Sequence, residues 1–423
     1  MESTLLRELP PTVSDAPAAG DHWARSPVSS LSDAALVDAV AAAITPPKRD
    51  ADTSFLTHAP LELAARAALL PMVAPDARDK VRRRIAAIAA QYAREGDEID
   101  ETVRDFGDAR AALAALKSAI RAGDVETTDA ALVYLAPRLS PLALRRAIAA
   151  DIMPMLGAAA HIPIFLAEMS RLEARLTGVN SLLRAPMRKL TRYSQFRLSW
   201  HEQAKAPGAI RDHGEALFEA LLDPPPVHSP SNYIAPTMLA VEADGYAEEM
   251  LGEATASLSI DDARRAVLRI GALSMLQDDP ENAPYGWSHA LTMPQGVLES
   301  AVAVEDKTMT VRIAATYVLG FRATLGKVEL RNMPPPRPIS AELFNVAPIE
   351  AAGAVYHAGE NQICALKMAL ASRAAAHRDA HLAKYTLACF DAAVRDQDAA
   401  RLFLAAAAYL GAWWDQNPDA SFE

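Results

Sequence analysis

The chain contains very little cysteine, with only Cys364 and Cys389 among 423 residues. Two thiols make neither a disulfide framework nor a CxxC motif, and they fit a reducing compartment. The N-terminus also lacks a basic head followed by an apolar run and a cleavage site, so no signal peptide is predicted. We therefore expect a cytoplasmic protein.

Positive charge is scarce as well, because 42 Lys and Arg residues face 53 Asp and Glu residues and the net charge is −11. Binding to nucleic acid or to an anionic membrane requires a clustered basic surface, so we expect neither partner. The densest basic segment, residues 184–192 with Arg197 beyond, has the spacing of a solvated helix face. The most apolar stretch, residues 152–167, is shorter than the roughly 20 residues that span a bilayer. It contains two prolines and His161, and it predicts a buried, kinked core helix.

Alternating β patterns are absent, and aromatic residues make up only 6% of the chain. Alanine and leucine dominate the apolar residues and recur at spacings of three and four, which predicts an all-α fold. Helices are predicted over residues 34–44, 61–70, 81–92, 110–121, 126–135, 141–152, 164–176, 214–222, 237–251, 261–276, 294–303, 309–325, 347–358, 363–376, 377–395 and 398–414.

The domain organisation follows from composition. The Pro-rich breaks at 224–226 and 334–336 have similar sequence on both sides, so we expect connections and not domain boundaries. A single large multi-helix domain with short irregular connections is predicted over residues 31–423. Residues 1–30 are rich in Pro, Ser, Asp and Ala and predict an extended or disordered N-terminal arm.

Several familiar catalytic motifs are missing: G-x-G-x-x-G after a strand, G-x-x-x-x-G-K-[ST], G-x-S-x-G and H-E-x-x-H. Rossmann dinucleotide binding, P-loop hydrolysis and α/β-hydrolase chemistry are therefore not indicated. With these motifs absent, the ten histidines are the remaining candidates for a functional site.

Histidines with polar, Pro-rich or N-terminal neighbours are expected to be exposed or in loops; these are His22, His201, His213 and His228. His58, His161 and His289 have apolar neighbours. His377 and His381 are four residues apart on a predicted helix, with Lys384 three further on, so these three share a face. A single buried histidine usually satisfies core hydrogen bonds. Several in apolar settings favour a shared metal, because burial favours the neutral imidazole that binds metals.

Lys384 is surrounded by apolar residues on its predicted helix. Its stem could carry the amine to the surface, as lysines at such positions commonly do. Alternatively, a buried neutral amine can be carbamylated, which creates a carboxylate-like oxygen ligand suited to iron.

Five short segments resemble motifs of the questin oxidase-like family. Phe55-Leu56-Thr57-His58-Ala59-Pro60 resembles N-H-x-P/S. Ala158-Ala159-Ala160-His161 with Ile164, Ala167 and Glu168 is similar to A-A-x-H-x-x-I-x-x-A-x-E. Ser288-His289-Ala290-Leu291-Thr292 resembles L-H-x-V-T, Asp379-Ala380-His381-Leu382-Ala383-Lys384 resembles D-E-H-V-I-K, and Leu402-Phe403-Leu404-Ala405-Ala406-Ala407 resembles L-Y-L-A-A-A. The resemblance covers about residues 52–410, and the order of the motifs along the chain is its stronger signal. Gln295 replaces a second histidine of bacterial relatives, and residues 201–280 match no motif.

The resemblance implies an oxygenase that opens aromatic polyketide (anthraquinone-like) rings in a Baeyer–Villiger-like oxidation. It also implies non-haem Fe(II), with NADPH as an external reductant. By position, the metal ligands would be His58, His161, His289, His381 and carbamylated Lys384.

The resulting hypothesis is a non-haem iron oxygenase whose substrates are O₂ and a small flat aromatic molecule. Lys384 and Glu168 are the candidate catalytic residues, with Glu168 orienting an imidazole from the same face as His161. Reserve ligands are His357 and His377, and the candidate pocket walls are Tyr233, Tyr285, Trp287 and Tyr356. Two alternatives remain. In one, a metal-free enzyme uses the same histidines as acid and base; in the other, a non-catalytic helical interaction protein buries them in its core.

Overall fold

The computed structural model describes residues 2–7, 9, 23–49, 53–173, 176, 178–202, 213–256, 258–333, 335–339 and 343–420. The fold is all-α, as predicted. Across these ranges the β-structure is limited to one isolated bridge between Lys48 and Glu98. Within the same ranges, no helix has both the length and the hydrophobicity that a membrane crossing requires.

The helices are numbered in chain order. They are α1 (Glu2–Arg7), α2 (Asp33–Ile44), α3 (Phe55–Leu69), α4 (Arg78–Tyr92), α5 (Ala109–Ala122), α6 (Val125–Leu135), α7 (Pro141–Ile152), α8 (Ile162–Leu172), α9 (Arg184–Arg192), α10 (His213–Leu222), α11 (Ile234–Glu242), α12 (Tyr246–Leu251), α13 (Ile260–Gln277), α14 (Ser288–Glu299), α15 (Lys307–Leu325), α16 (Pro348–Tyr356), α17 (Ile363–Ala376), α18 (Ala380–Arg395) and α19 (Ala400–Gln416).

Local sequence signals set many of these boundaries. The side chains of Ser32, Asp108, Asp124 and Ser140 each accept a hydrogen bond from a backbone N–H in the first turn of the helix that follows. These N-caps satisfy amide groups that have no partner inside the helix. The predicted bounds of 141–152 and 363–376 are confirmed.

Two prolines lie inside helices instead of starting them. The helix predicted from residue 61 begins at Phe55, with Pro60 in its interior, and the helix predicted from 294 begins at Ser288, with Pro294 in its interior. Each proline removes one backbone hydrogen bond. Both helices are buried along almost their whole length, so packing outweighs that loss. As a result, His58 and His289 lie within helices.

The chain forms two compact units. The first comprises Met1–Phe196, Ala371–Lys384 and Glu423, and the second comprises Arg197–Leu370 and Tyr385–Phe422. Both Pro-rich breaks lie within the second unit, as expected of connections that are not domain boundaries. In the first unit, α2 packs on α4, α3 on α8, and α5 on α6. In the second, α16 packs on α19, α14 on α15, and α13 on α14.

The expected N-terminal arm contains regular structure where it is described. Helix α1 packs on α2 and α4, and Leu6 is buried. Trp23 is also buried, and its indole N–H donates to Asp79 at 2.8 Å. Apolar burial therefore fixes both described parts of residues 1–30, which are not simply extended. Residues 10–22 lie outside the described residues.

The predicted solvated face of α9 is wrong at two positions. Arg184 and Arg188 are buried, and both form ion pairs with Asp129 on α6, at 2.8 and 3.3 Å. A guanidinium can be buried when a carboxylate matches its charge and geometry. The spacing of charges cannot reveal a partner that lies more than 50 residues away in sequence.

Candidate metal centre

Three histidines of the first unit converge in its interior. His58 on α3, His161 just before α8 and His381 in the first turn of α18 are all buried, and one ring nitrogen of each lies within 4.8 Å of the others. Among the described residues this is the one group of three or more His, Cys, Asp or Glu side chains with a spacing suited to a metal ion. The structure thus brings together three of the four predicted histidine ligands.

The distance between His58 and His161 fits a shared metal ion. The Nε2 atoms of His58 and His161 are 3.1 Å apart, and the His58 ring meets that of His381 edge-on with centroids 5.0 Å apart. Two nitrogen ligands about 2.1 Å from one ion, at roughly 90° to 110°, lie about 3.0 to 3.4 Å apart. The separation between the two Nε2 atoms falls in that interval.

His161 is oriented by a left-handed turn. Ala158, Ala159 and Ala160 have φ values of 52°, 50° and 54°, a conformation that costs an alanine roughly 1–2 kcal/mol. The predicted kinked helix over residues 152–167 is therefore wrong, because this turn separates α7 from α8. The His161 Nδ1–H donates to the Ala159 carbonyl at 2.7 Å. In the neutral ring, Nε2 then carries the lone pair that can bind a metal.

His381 is oriented by Asp379. One carboxylate oxygen of Asp379 accepts hydrogen bonds from the His381 backbone N–H at 2.7 Å and from Nδ1–H at 2.9 Å. The lone pair therefore lies on Nε2, the arrangement commonly seen in metal-binding histidines. Burial, together with the charge of Lys384, lowers the pKa of His381. Burial opposes ionisation of Asp379, but His381 overcomes that effect and the pKa of Asp379 is lowered.

The prediction that His377 shares a helix with His381 is wrong. Helix α17 ends at Ala376 and α18 begins at Ala380, because Asp379 caps α18. His377 Nδ1 accepts a hydrogen bond from the Asp379 backbone N–H at 3.1 Å. Burial, reinforced by Arg373, lowers the pKa of His377 to about 3. This reserve ligand is not a member of the three-histidine cluster.

Lys384 lies at the cluster, one turn beyond His381. It is buried, and its Nζ lies 3.5 Å from His161 Nε2. Of the two alternatives for Lys384, the structure has the buried side chain and not the one that reaches the surface, while carbamylation stays a prediction. Both Lys384 Nζ and His58 Nε2 thus approach the single lone pair of His161 Nε2.

A buried ionic network supports this part of the first unit. Glu62 on α3 pairs with Arg66 at 2.6 Å and with Arg84 on α4 at 3.1 Å. Arg66 also donates to the carbonyls of Ala375 at 2.5 Å and His377 at 2.7 Å, at the end of α17. Burial lowers the pKa of Arg66 to about 10. This network was not predicted from sequence, although the i, i+4 spacing of Glu62 and Arg66 was a usable signal.

His289 belongs to the second unit and is not a member of the cluster. It follows a π-helical turn at Ala283–Trp287, and its Nδ1–H donates to the Tyr285 carbonyl at 2.6 Å. Its ring stacks near that of Phe321, with centroids 6.3 Å apart. Its role as a metal ligand stays a prediction.

Glu168 and His357 are not members of the three-histidine cluster. Glu168 forms an ion pair with Arg171 at 3.0 Å, whereas the imidazole of His381 contacts the carboxylate of Asp379. His357 is exposed and donates to the Pro336 carbonyl. The four predicted pocket walls are in the second unit and line neither of its two described cavities: Tyr233, Tyr285, Trp287 and Tyr356.

The histidines expected in exposed or loop positions have mixed outcomes. His228 is exposed, as predicted. His201 is buried in a 3₁₀ turn, and burial lowers its pKa, so that prediction is wrong. Its carbonyl accepts from Arg312, a contact that its polar neighbours in sequence did not indicate. His22 and the side chain of His213 lie outside the described residues.

Comparison of the chain with models of protein families, with curated proteins and with solved structures gives no match. The functional argument therefore depends on the geometry of the three-histidine cluster and its neighbours.

Proposed function

We propose that His58, His161 and His381 hold a divalent transition metal, and that the protein is a non-haem iron oxygenase. The observation that carries this proposal is the convergence of three buried imidazoles, with two Nε2 atoms 3.1 Å apart. Three imidazoles suit zinc as well as iron. The motif resemblance and the adjacent Lys384 favour iron.

Residues around the cluster have defined tasks in this proposal. Asp379 and the Ala159 carbonyl hold the protons on Nδ1 of His381 and His161, so that both Nε2 atoms are available as ligands. Burial of all three rings excludes water, and burial of His381 lowers its pKa. Bound Fe(II) would supply the O₂ chemistry that amino-acid side chains lack. The proposed substrate is a flat aromatic polyketide, with NADPH as the external electron donor.

We propose further that Lys384 is carbamylated. The neutral amine would add to CO₂ and lose a proton, forming an N-carboxylate that provides an oxygen ligand. The support is the burial of Lys384 and its 3.5 Å separation from His161 Nε2. The carbamate would place a negative ligand beside the metal. The ammonium form of Lys384 would place a positive charge there instead, which like-charge repulsion disfavours.

The first experiment measures metal. The full-length protein, produced in iron-supplemented medium, should contain about one equivalent of iron, and His58→Ala, His161→Ala and His381→Ala should each contain less than about a tenth. The exposed His228→Ala provides the control and should retain full iron. Equal iron in all four variants would refute the metal centre.

The second experiment tests the carbamate. Lys384→Met should lower bound iron by about tenfold or more, and the carbamate signal that ¹³C-bicarbonate gives in the wild-type protein should be absent from this variant. Lys48→Met is the matched control, because Lys48 is equally buried but pairs with Glu98. Full iron in Lys384→Met would refute the carbamate and leave the histidine site intact.

The third experiment measures catalysis. Oxygen uptake by the iron-loaded protein with a hydroxylated anthraquinone and NADPH should depend on His161. A protein that binds iron but consumes no oxygen with these compounds would refute the oxygenase and retain the metal site.

A second function is favoured by one observation. A separation of 3.1 Å between two imidazole nitrogens, with Lys384 nearby, also suits a proton relay in a metal-free acid–base enzyme. Conversion of substrate by protein with less than about a tenth of an equivalent of metal would support this alternative over the oxygenase.

A further inference from the structure

Arg312, on α15 in the second unit, is a buried arginine without an ion-pair partner among the described residues. It is only 8% exposed. Removal of a guanidinium from water is costly, so buried arginines are ordinarily paired with a carboxylate. The other seven buried arginines in the described residues all have such a partner: Arg66, Arg84, Arg145, Arg184, Arg188, Arg264 and Arg322. The unpaired charge of Arg312 therefore indicates a site for an anion.

One edge of the Arg312 guanidinium has no hydrogen-bond partner in the described part of the chain. Nη1 donates to the His201 carbonyl at 3.0 Å, whereas neither Nε nor Nη2 donates to any described residue. Nε and Nη2 form the edge of a guanidinium that matches the two oxygens of a carboxylate. In Arg184 this edge donates to the two oxygens of Asp129, at 2.8 and 3.0 Å, and Arg269 binds another aspartate in the same way. The free edge of Arg312 thus has the geometry for an oxyanion.

The guanidinium of Arg312 is held in place by contacts that need no ligand. It lies over the Trp200 ring, with Cζ 5.8 Å from the ring centroid. Trp200 is buried, and its indole N–H donates at 3.0 Å to Thr316, one turn beyond Arg312 on α15. Together with the His201 carbonyl, the Trp200 ring fixes the orientation of the free edge. A donor that is oriented before binding loses little entropy when its ligand binds.

His201 provides a second unpartnered polar atom next to Arg312. It is 6% exposed, and its Nδ1 is enclosed without a hydrogen bond to a described residue. Burial lowers the pKa of His201, and the charge of Arg312 also lowers it, so the two side chains interact. The acids beside His201 have partners of their own, because Glu202 pairs with Arg197 at 2.6 Å and Glu242 accepts a backbone N–H at 2.7 Å. Enclosed polar atoms without a protein partner indicate a place for a polar ligand.

The chemistry of the free edge selects an anion over a cation. An arginine side chain has hydrogen-bond donors and no acceptor, so only an acceptor can bind this edge. A cation would also be repelled by the guanidinium. Burial lowers the pKa of Arg312, and the carboxylates of Asp306 and Glu248 oppose this effect without forming an ion pair with it. An oxyanion supplies both the acceptor oxygens and the negative charge that this edge lacks.

We infer that the Nε–Nη2 edge of Arg312 binds a small oxyanion, which is a carboxylate or a phosphate group. Nε is enclosed, whereas Nη2 is not, so the anion approaches from the Nη2 side. The burial of Arg312 restricts this approach to a small ion or to one end of a small molecule. This inference uses residues of the second unit alone and does not depend on the metal centre.

Calorimetric titration of the full-length protein in a chloride-free buffer, with sodium phosphate, sodium acetate and sodium chloride, tests the inference. We expect saturable binding of phosphate or acetate at millimolar concentration. Chloride should bind about tenfold or more weakly, because a single atom cannot accept from both donors in the way that two oxygens do. The oxyanion that binds more tightly identifies the ligand group. No saturable binding of either oxyanion, or equally tight binding of chloride, would overturn the inference.

Variants locate the binding. Arg312→Lys keeps the charge but removes the two-donor edge, and it should weaken oxyanion binding about tenfold or more. Arg265→Lys makes the same change at a half-exposed arginine of the second unit that pairs with Asp262, and it should leave the affinity unchanged. Unfolding curves that match the wild type show that both variants are folded. Full affinity in folded Arg312→Lys would overturn the inference.

The wild-type protein provides a test that requires no variant. Selenate is an oxyanion whose selenium atom gives an anomalous X-ray signal. In crystals of the full-length protein grown with sodium selenate, we expect an anomalous peak with oxygens within hydrogen-bond distance of Arg312 Nε and Nη2. Selenate peaks at other positions alone, or an ordered water on this edge in the presence of selenate, would overturn the inference.

Discussion

At the scale of single residues, the orientation of His381 depends on Asp379. The carboxylate oxygen of Asp379 holds both the backbone N–H and the Nδ1–H of His381, at 2.7 and 2.9 Å. From sequence, Glu168 was assigned the orienting role because it shares a predicted helix face with His161. Asp379 lay inside the helix predicted over residues 377–395, where side chains two residues apart do not face each other.

We predict that Asp379→Asn lowers metal affinity about 10- to 100-fold, because an uncharged amide stabilises the required His381 tautomer less well. Asparagine can still accept the backbone N–H, so the helix cap is retained. Competition with a chromophoric chelator measures the affinity. Glu168→Gln is the control, and an equal loss in both variants would contradict the assignment to Asp379.

His377 makes stability depend on pH. Its pKa is about 3 in the folded protein because of burial, against 6.5 for the free side chain. Between these values the unfolded chain binds a proton that the folded protein does not. The free energy of unfolding therefore falls as the pH falls, by up to about 1.4 kcal/mol per pH unit.

We predict that His377→Asn removes this contribution, since asparagine keeps an acceptor for the Asp379 N–H and does not titrate. Urea unfolding between pH 6.5 and 4.5 should show a shallower pH dependence in the variant. His228→Asn changes an exposed histidine and should retain the wild-type slope. Identical slopes in wild type and His377→Asn would contradict the prediction.

At the scale of elements, the turn between α7 and α8 determines where His161 points. Three consecutive alanines adopt a conformation that glycine tolerates much better. Backbone strain of this kind persists only where the surrounding structure enforces it, and it is common at functional sites. The sequence signal was absent, because Ala-rich segments ordinarily favour right-handed helix.

Ala159 provides a test of the strain, because its side chain is exposed and a substitution changes the backbone preference alone. We predict that Ala159→Gly leaves the free energy of unfolding unchanged or raises it by up to about 1 kcal/mol, while Ala159→Val lowers it by about 2 kcal/mol. Denaturant unfolding measures both values.

The matched control is Ala114→Gly at an exposed position of α5, where the same substitution should destabilise the protein by about 1 kcal/mol. A loss of the same size at Ala159 and Ala114 would show that the turn is not strained.

At the scale of the whole molecule, the metal cluster depends on joining distant parts of the chain within the first unit. Arg66 connects two of these parts. Its guanidinium binds Glu62 on the same helix, and it also binds carbonyls at the end of α17, more than 300 residues away in sequence. Residues 371–384 are thereby attached to α3, which brings His381 and Lys384 to His58.

We predict that Arg66→Met destabilises the protein by about 3–5 kcal/mol, because Glu62 loses a buried partner and carbonyls lose their donor. Arg78→Met, which removes a part-exposed ion pair with Asp33, should cost about 1 kcal/mol or less. Chemical unfolding compares the two. A similar small loss in both would mean that the Arg66 network contributes little.

The sequence by itself determined the all-α class, most helix positions and the histidines worth testing. Periodicity and N-caps are set by residues three or four apart, so the bounds of α7 and α17 could be predicted from neighbours alone. Apolar surroundings were sufficient to single out His58 and His161, because a stretch made mostly of apolar residues is usually buried.

Only the tertiary structure decided which of those histidines meet. His58 and His161 are 103 residues apart, and Lys384 is 223 residues beyond His161. Their approach depends on a left-handed turn, on the Asp379 cap and on the Arg66 network. The turn and the Arg66 network depend on long-range packing, which leaves no periodic trace in the chain. For the same reason, sequence placed Arg184 and Arg188 in solvent, whereas carboxylates on α6 hold them inside.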